Sequence, residues 1–214
     1  MNRIILDTET ANSLEEPIAY DIGWAVLDDD LNVIKTESYA IAEVFLDSDL
    51  MAGAYYADKV PKYWDDIKNG DRKLARLATV ICALRNDIRA YQVREVFAHN
   101  ARFDDLSTKL TERYLTASKY RYVFPKSVTI CDTLKMSREV FGKNPTYRKF
   151  CEDNGFMTKH KTPRPRLTAE VIYRFLTGDL SFSEEHQGLA DVLIEKEILK
   201  ACLALGAVRC ALWE

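Results

Sequence analysis

The sequence predicts an α/β fold with helices flanking a mixed central sheet, and three observations carry that expectation. Three apolar, strand-like runs open the chain, with an acidic turn joining the second to the third, as in an antiparallel meander. A long amphipathic helical pattern follows. After it come two short apolar runs, each passing directly into a helix-like segment, which is the alternation that parallel strands require. No repeat, low-complexity tract or Pro/Gly/Ser-rich linker divides the 214 residues, so one domain spanning 1–214 is expected.

Arg3–Asp7 reads as the first strand. Ile18–Leu27 and Asn32–Tyr39 read as the next two, joined across Asp28-Asp29-Asp30 in hairpin fashion. From Ala42 to Gly70 the chain is aromatic (Tyr55, Tyr56, Tyr63, Trp64) and broken by Pro61. A helical insertion packed against the domain is expected there, with rings that stack on bases as the alternative. Leu74, Leu77, Ile81, Leu84, Ile88 and Tyr91 recur at three and four, predicting an amphipathic helix. Val93–Ala98 is a buried strand leading into a helix over Arg102–Leu115. Val128–Cys131 is another, leading into a helix from Asp132 towards Phe141. Short helices are expected over Thr146–Asn154, stopped by Gly155, and over Thr168–Leu176. A long final helix runs over Gln187–Leu205, with Gly206 as its stop.

Composition narrows the function. A hydrophobic content of 47% supports a sizeable core, yet no stretch approaches the roughly 20 apolar residues of a membrane span. Met1-Asn2-Arg3 passes straight into the first strand, so no removable leader is expected. The five cysteines (Cys82, Cys131, Cys151, Cys202, Cys210) are odd in number and form no CxxC pair; free thiols of a reducing cytoplasm are expected. The net charge of −3 conceals a basic block. Lys143–Arg166 holds seven Lys and Arg against two acids, and reads either as a phosphate-steering rim or as a solvated loop. Its Thr162–Arg166 run, TPRPR, suggests a stiff exposed connection.

Four acids and a histidine carry the chemistry. Asp7 and Glu9 are two apart at a strand end, so both side chains fall on one face. Asp104 opens a helix just after a buried strand. His186 and Asp191 are five apart, about 140° around a helix, so the histidine must sit on the loop or first turn with Asp191 one turn inside. Converging carboxylates need cations, and oxygen donors favour Mg²⁺ or Mn²⁺. Two such ions can clamp both oxygens of a phosphodiester exchange, and an imidazole beside them suits a general base near neutral pH. That combination points to a nuclease. Each segment has a plainer reading alone: exposed strand-end acids, an acid complementing a helix N-terminus, a capping histidine.

Together, ILDTET, HNARFD and HQGLAD resemble the three motifs of the DEDDh (DnaQ-like) 3′–5′ exonucleases, a family that includes the proofreading exonuclease of bacterial DNA polymerase III and free-standing DNA and RNA trimmers. Ile130-Cys131-Asp132-Thr133-Leu134 also resembles that family's DTL step. The resemblance implies a ribonuclease H-like exonuclease fold. It further implies two Mg²⁺ or Mn²⁺ ions held by Asp7, Glu9, Asp104 and Asp191, with His186 as base. Thr8, Thr10, Asn100 and Phe103 would meet the terminal nucleotide. The implied substrate is a single-stranded or frayed 3′ end, DNA before RNA, and the product a nucleoside 5′-monophosphate. An RNA trimmer of the same family and a non-catalytic interaction module are the alternatives. The short segment after the last helix leaves no long tail for docking a polymerase, so no such partner is indicated.

Overall fold

The computed structural model describes residues 1–54, 57–116 and 123–208. β1 (Arg3–Ala11), β2 (Ile18–Leu27) and β3 (Val33–Ile41) form the antiparallel meander. The next segment folds as α1 (Ala42–Phe45), α2 (Ser48–Met51), a 3₁₀ turn (Ala57–Lys59) and α3 (Val60–Asn69). β4 (Lys73–Ala75) then adds to β3 in parallel. This strand was not expected. Leu74 fits the helical period that follows, but pairing with Ala40 claims it for the sheet, and α4 (Leu77–Ala90) starts later. β5 (Glu95–Ala98) leads into α5 (Ala101–Thr116), and β6 (Thr129–Asp132) into α6 (Thr133–Val140). α7 (Pro145–Asp153), α8 (Ala169–Thr177) and α9 (Gly188–Ala204) complete the order.

The sheet runs β4-β3-β2-β1-β5-β6, with β5 and β6 parallel to β1. Side chains alternate across β1, so each face feeds a separate core. Ile4 and Leu6 join Tyr20, Trp24, Leu84 and the aromatic segment's Phe45 and Tyr63 on one side. Ile5 joins Phe97, Met136, Ile198 and Leu199 on the other. Asp7 and Glu9 share the odd-numbered face with Ile5, towards α9, whereas Thr8 faces α5. β1 extends four residues beyond its expected end at Asp7, and a bulge at Glu9/Thr10 turns its outer part.

Tyr63 is wholly buried, with its ring 5.7 Å from Tyr20 and 5.6 Å from Phe45. Trp64 leans on Phe45 and remains partly exposed. These two rings pack the α1–α3 segment against the sheet; Tyr55 and Tyr56 lie outside the described residues. Cys82, Cys131, Cys151 and Cys202 are free thiols, and Cys210 lies outside the described residues. Among the described residues no helix is long and apolar enough to cross a membrane.

One contact sets where α9 begins. Gly23 of β2 pairs with Asp7, and a Cβ at Gly23 would come within 2.3 Å of the Leu189 backbone nitrogen. A Cβ at Gly188 would meet the Gly23 nitrogen at 2.8 Å and the Asp7 carbonyl oxygen at 3.1 Å. Only two glycines allow the backbones to approach this closely. Gly23→Ala is therefore expected to destabilise the fold by about 1–3 kcal/mol, the usual cost of forcing a methyl group into a filled site. Urea unfolding measures it, and an unchanged midpoint would show that α9 is not held by this approach.

Candidate active site

β1 delivers Asp7 and Glu9, β5 ends beside Asn100, and α5 and α9 begin nearby, so a groove of about 1530 Å³ opens at the carboxyl ends of the parallel strands. Crevices form at such places because successive connections leave the sheet on opposite faces. α5 covers one face through Leu110, and α6 covers the other through Met136. Asp7, Glu9, Asp104, His186 and Asp191 all line this groove, as do Thr8, Asn100 and Phe103; Thr10 is not on its wall.

Ligand atoms of Glu9, His186 and Asp191 lie within 4.8 Å of one another. His186 has φ +52 and precedes Gln187, the residue that caps α9, while Asp191 sits in the first turn. Its left-handed backbone is what lets a residue five before Asp191 face the same point. The Gln187 N–H donates to Asp191 Oδ2 at 3.0 Å, and Asp191 Oδ1 is buried with no hydrogen-bond partner among the described residues.

Asp104 is committed in part to structure. Its Oδ1 accepts from the Thr8 N–H at 3.1 Å and from the Thr8 hydroxyl at 2.9 Å. Thr8, expected at the terminal nucleotide, lines the groove, and its hydroxyl and amide tie β1 to α5. Asn100 holds φ +75, which a short polar side chain tolerates, and its N–H donates to Asp132 Oδ1 at 3.2 Å. Asp132 also caps α6 through Leu134 and Lys135. Phe103 is half-buried on the groove wall instead of entering either core.

Two further acids went unnoticed in the sequence. Glu195 lies four residues beyond Asp191, on the same face of α9 and almost wholly buried, and its carboxylate accepts from the His99 N–H at 3.2 Å. The four-residue spacing was the available signal. Glu184 Oε2 lies 4.0 Å from His186 Nδ1. Burial, reinforced by neighbouring carboxylates, pushes every member of the cluster upward. Glu9 rises to about 9 and Glu184 to about 8, while Asp7 and Glu195 are raised well above the usual range. Burial also lifts Asp191 and Asp104 to about 7, with backbone hydrogen bonds from Gln187 and contacts from Thr8 opposing it. Desolvation lowers the His186 imidazole, with Glu170 and Asp58 opposing that shift, so the ring is neutral at neutral pH.

Several contacts fix the loop that carries His186. Asp21 Oδ2 accepts from the Gly188 N–H at 2.9 Å and from the Tyr63 hydroxyl at 2.7 Å, while Arg72 pairs with Oδ1 and lies 4.0 Å over the Tyr63 ring. Lys62 of α3 donates at 2.6 Å to both Glu185 and Gln187, on either side of His186.

The basic block reaches the same groove. Arg148, Lys161, Arg164 and Arg166 line its wall beyond the acids, joined there by Arg138 of α6.

No protein-family model and no curated protein matches the sequence. The fold does match solved structures. Exonuclease X in complex with 5′-overhanging duplex DNA is similar at TM-score 0.54 and 14% identity, over 95% of this chain and 92% of that one. A 3′-exonuclease that recognises the 3′ end of a histone mRNA stem-loop is similar at TM-score 0.64 and 13% identity, over 98% and 66%. E. coli Exonuclease I in complex with a dT13 oligonucleotide is similar at TM-score 0.56 and 15% identity, over 94% and 40%. The ribonuclease H-like exonuclease fold, with its mixed six-stranded sheet flanked by helices, is thus this chain's fold.

The raised carboxyls make stability depend on pH with a definite sign. A carboxyl whose folded pKa exceeds its unfolded value binds more protons when folded, so stability falls as pH rises through that interval. Without divalent cations, the thermal midpoint is expected to fall between about pH 5 and about pH 9, the span from ordinary carboxyls to Glu9. Mg²⁺ or Mn²⁺ should raise it more at the alkaline end. Calorimetry across pH with and without EDTA checks this; a metal effect independent of pH would argue against a shared site.

Proposed function

We propose that this chain is a metal-dependent 3′–5′ exonuclease that releases nucleoside 5′-monophosphates from single-stranded or frayed 3′ ends, DNA before RNA. One observation carries the reading: Glu9, Asp191 and His186 meet within 4.8 Å at one end of a groove that also takes in Asp7 and Asp104. At about 1530 Å³ that groove exceeds the roughly 300–1,000 Å³ of small-molecule sites, which suits a polymer end. The similar folds belong to proteins described as exonucleases, two of them in complex with DNA and one a 3′-exonuclease that recognises the 3′ end of a histone mRNA stem-loop.

The residues suit hard divalent cations. Their donors are carboxylate oxygens, Asp191 Oδ1 is buried with no hydrogen-bond partner among the described residues, and the mutual repulsion of six acids is what such a charge relieves. Asp7, Glu9 and Asp191 would hold one Mg²⁺ or Mn²⁺, and Asp7 with Asp104 a second. When bound, the pair supplies charge neutralisation and Lewis-acid polarisation of the phosphodiester.

The chain's own groups do the rest. Neutral His186 takes a proton from the attacking water as the oxygen–phosphorus bond forms. The bond from phosphorus to the 3′ oxygen breaks, and solvent protonates that oxygen. Thr8 and Asp104 keep β1 fixed so that Asp7 and Glu9 stay in place. Asn100 and the half-exposed Phe103 ring meet the terminal nucleotide, together with backbone groups around Thr8 and Glu9.

Asp7→Ala or Asp191→Ala is expected to abolish monophosphate release in Mg²⁺, as should EDTA with the unaltered protein. His186→Ala should lower kcat by about 10²–10⁴-fold, the usual contribution of a positioned base, while Mn²⁺ affinity stays within a few-fold. End-labelled DNA and RNA of one sequence give polarity and sugar preference together. Full activity in either Asp variant would defeat the reading; loss of Mn²⁺ affinity in His186→Ala without loss of turnover would make the imidazole a ligand.

A further inference from the structure

We infer that the hairpin of residues 156–166 is a preformed phosphate-binding wall that makes the enzyme select multi-nucleotide strands over dinucleotides. This inference rests on the exonuclease reading and adds a substrate length to it.

The hairpin is built, not draped. The Thr158 N–H donates to the Arg164 carbonyl at 2.8 Å, the Arg166 N–H donates to the Phe156 carbonyl at 2.9 Å, and Met157 bridges to Pro165 in antiparallel fashion. Two anchors fasten its outgoing end. The Tyr147 hydroxyl donates to the Arg166 carbonyl at 2.5 Å, and His99 Nε2 lies 2.7 Å from the Leu167 carbonyl. A carbonyl can only accept, so His99 carries its proton on Nε2. The His99 amide in turn donates to Glu195, so the hairpin and the acid cluster are joined through a single residue.

The TPRPR run now has a geometric meaning. In an extended strand residues two apart share a face, so buried Pro165 points inward while Arg164 and Arg166 stand together on the exposed side. Arg164, Arg166 and Lys161 line the groove, and Arg138 from α6 faces them from its wall. Among the described residues none of these four has a carboxylate within ion-pairing distance, although the chain as a whole is acidic. Cations fixed on a rigid support, facing a groove and lacking an acidic partner, suit a row of phosphates: binding releases counterions and orders little of the protein. In the same basic block, Arg148 on the groove wall is neutralised by Glu152, and Lys149, outside the groove, pairs with Asp153 on the surface of α7. With the 3′ end among the acids, the phosphates on this wall belong to nucleotides further into the strand. A dinucleotide has no such phosphates to offer.

The test compares Lys161→Ala/Arg164→Ala/Arg166→Ala with the unaltered enzyme on a dinucleotide and on a single strand of about twenty nucleotides. Lys149→Ala is the control, being equally basic but outside the groove. Removing three phosphate contacts should reduce the slope of log kcat/KM against log salt by about 2 for the long strand, at about 0.7 per contact. At low salt the long strand should lose at least about tenfold in kcat/KM, mainly through KM, while the dinucleotide changes less than about twofold. Arg164→Lys/Arg166→Lys keeps the charges and should keep the slope. Equal losses on both substrates, or an unchanged slope, would overturn the wall. If the unaltered enzyme cleaves neither substrate, the exonuclease reading itself fails, which is a different result.

Discussion

The close approach of Gly23 and Gly188 is the constraint on which the site depends. Gly23 sits opposite Asp7 in the sheet, so bringing the start of α9 against it delivers Asp191 and His186 to the rung that carries the first acid. Asp21 secures the same junction by accepting from the Gly188 N–H, and it is itself held by Tyr63 and Arg72. A side chain at either glycine would push the third acidic segment away from the first. The geometry of the site is therefore decided by backbone proximity at the sheet's central strand pair, β1 and β2, and the acids inherit it.

Such an arrangement is costly for the bare protein. Six carboxyls crowd one end of a groove, and burial raises each of them. Structure-forming contacts relieve part of the cost: Thr8 donates twice to Asp104, Gln187 donates to Asp191, and His99 donates to Glu195. The Thr8 and His99 donors also tie together two elements of the fold, β1 with α5 and the end of β5 with α9. One buried oxygen of Asp191 has no hydrogen-bond partner among the described residues. Holding like charges together in this way costs stability, and buried clusters with raised carboxyls are typical of functional sites.

Both irregular segments of the chain end on the same site. The α1–α3 segment is packed on the sheet by Phe45 and Tyr63 and sends Lys62 to the residues flanking His186. The 156–166 hairpin is fastened through His99 to Glu195. Neither segment belongs to the sheet-and-helix alternation, yet each braces one wall of the groove. The position of the imidazole thus depends on residues more than a hundred positions earlier in the chain.

Much of this was legible in the sequence, because much of it is local. Strand alternation placed Asp7 and Glu9 on one face, and helical geometry required His186 to precede the final helix, as its left-handed backbone before Gln187 shows. The boundaries of β2 and, to within a residue, the starts of α5, α6 and α9 also follow from apolar patterning, with Asp132 capping α6. Long-range pairing was not legible. β4 took Leu74 from a helical pattern because Ala40 was there to pair with it, and Thr8 turned to α5 because the sheet's other face is buried against that helix. Glu195 became part of the acid cluster only once α9 was laid along β1 and β2. What the sequence determined by itself was which residues could act and on which face of their own element each would lie, since both follow from backbone periods. Only the tertiary structure decided that the basic block and the acids share one groove, because that depends on where a hairpin, a helix and a glycine contact meet in space.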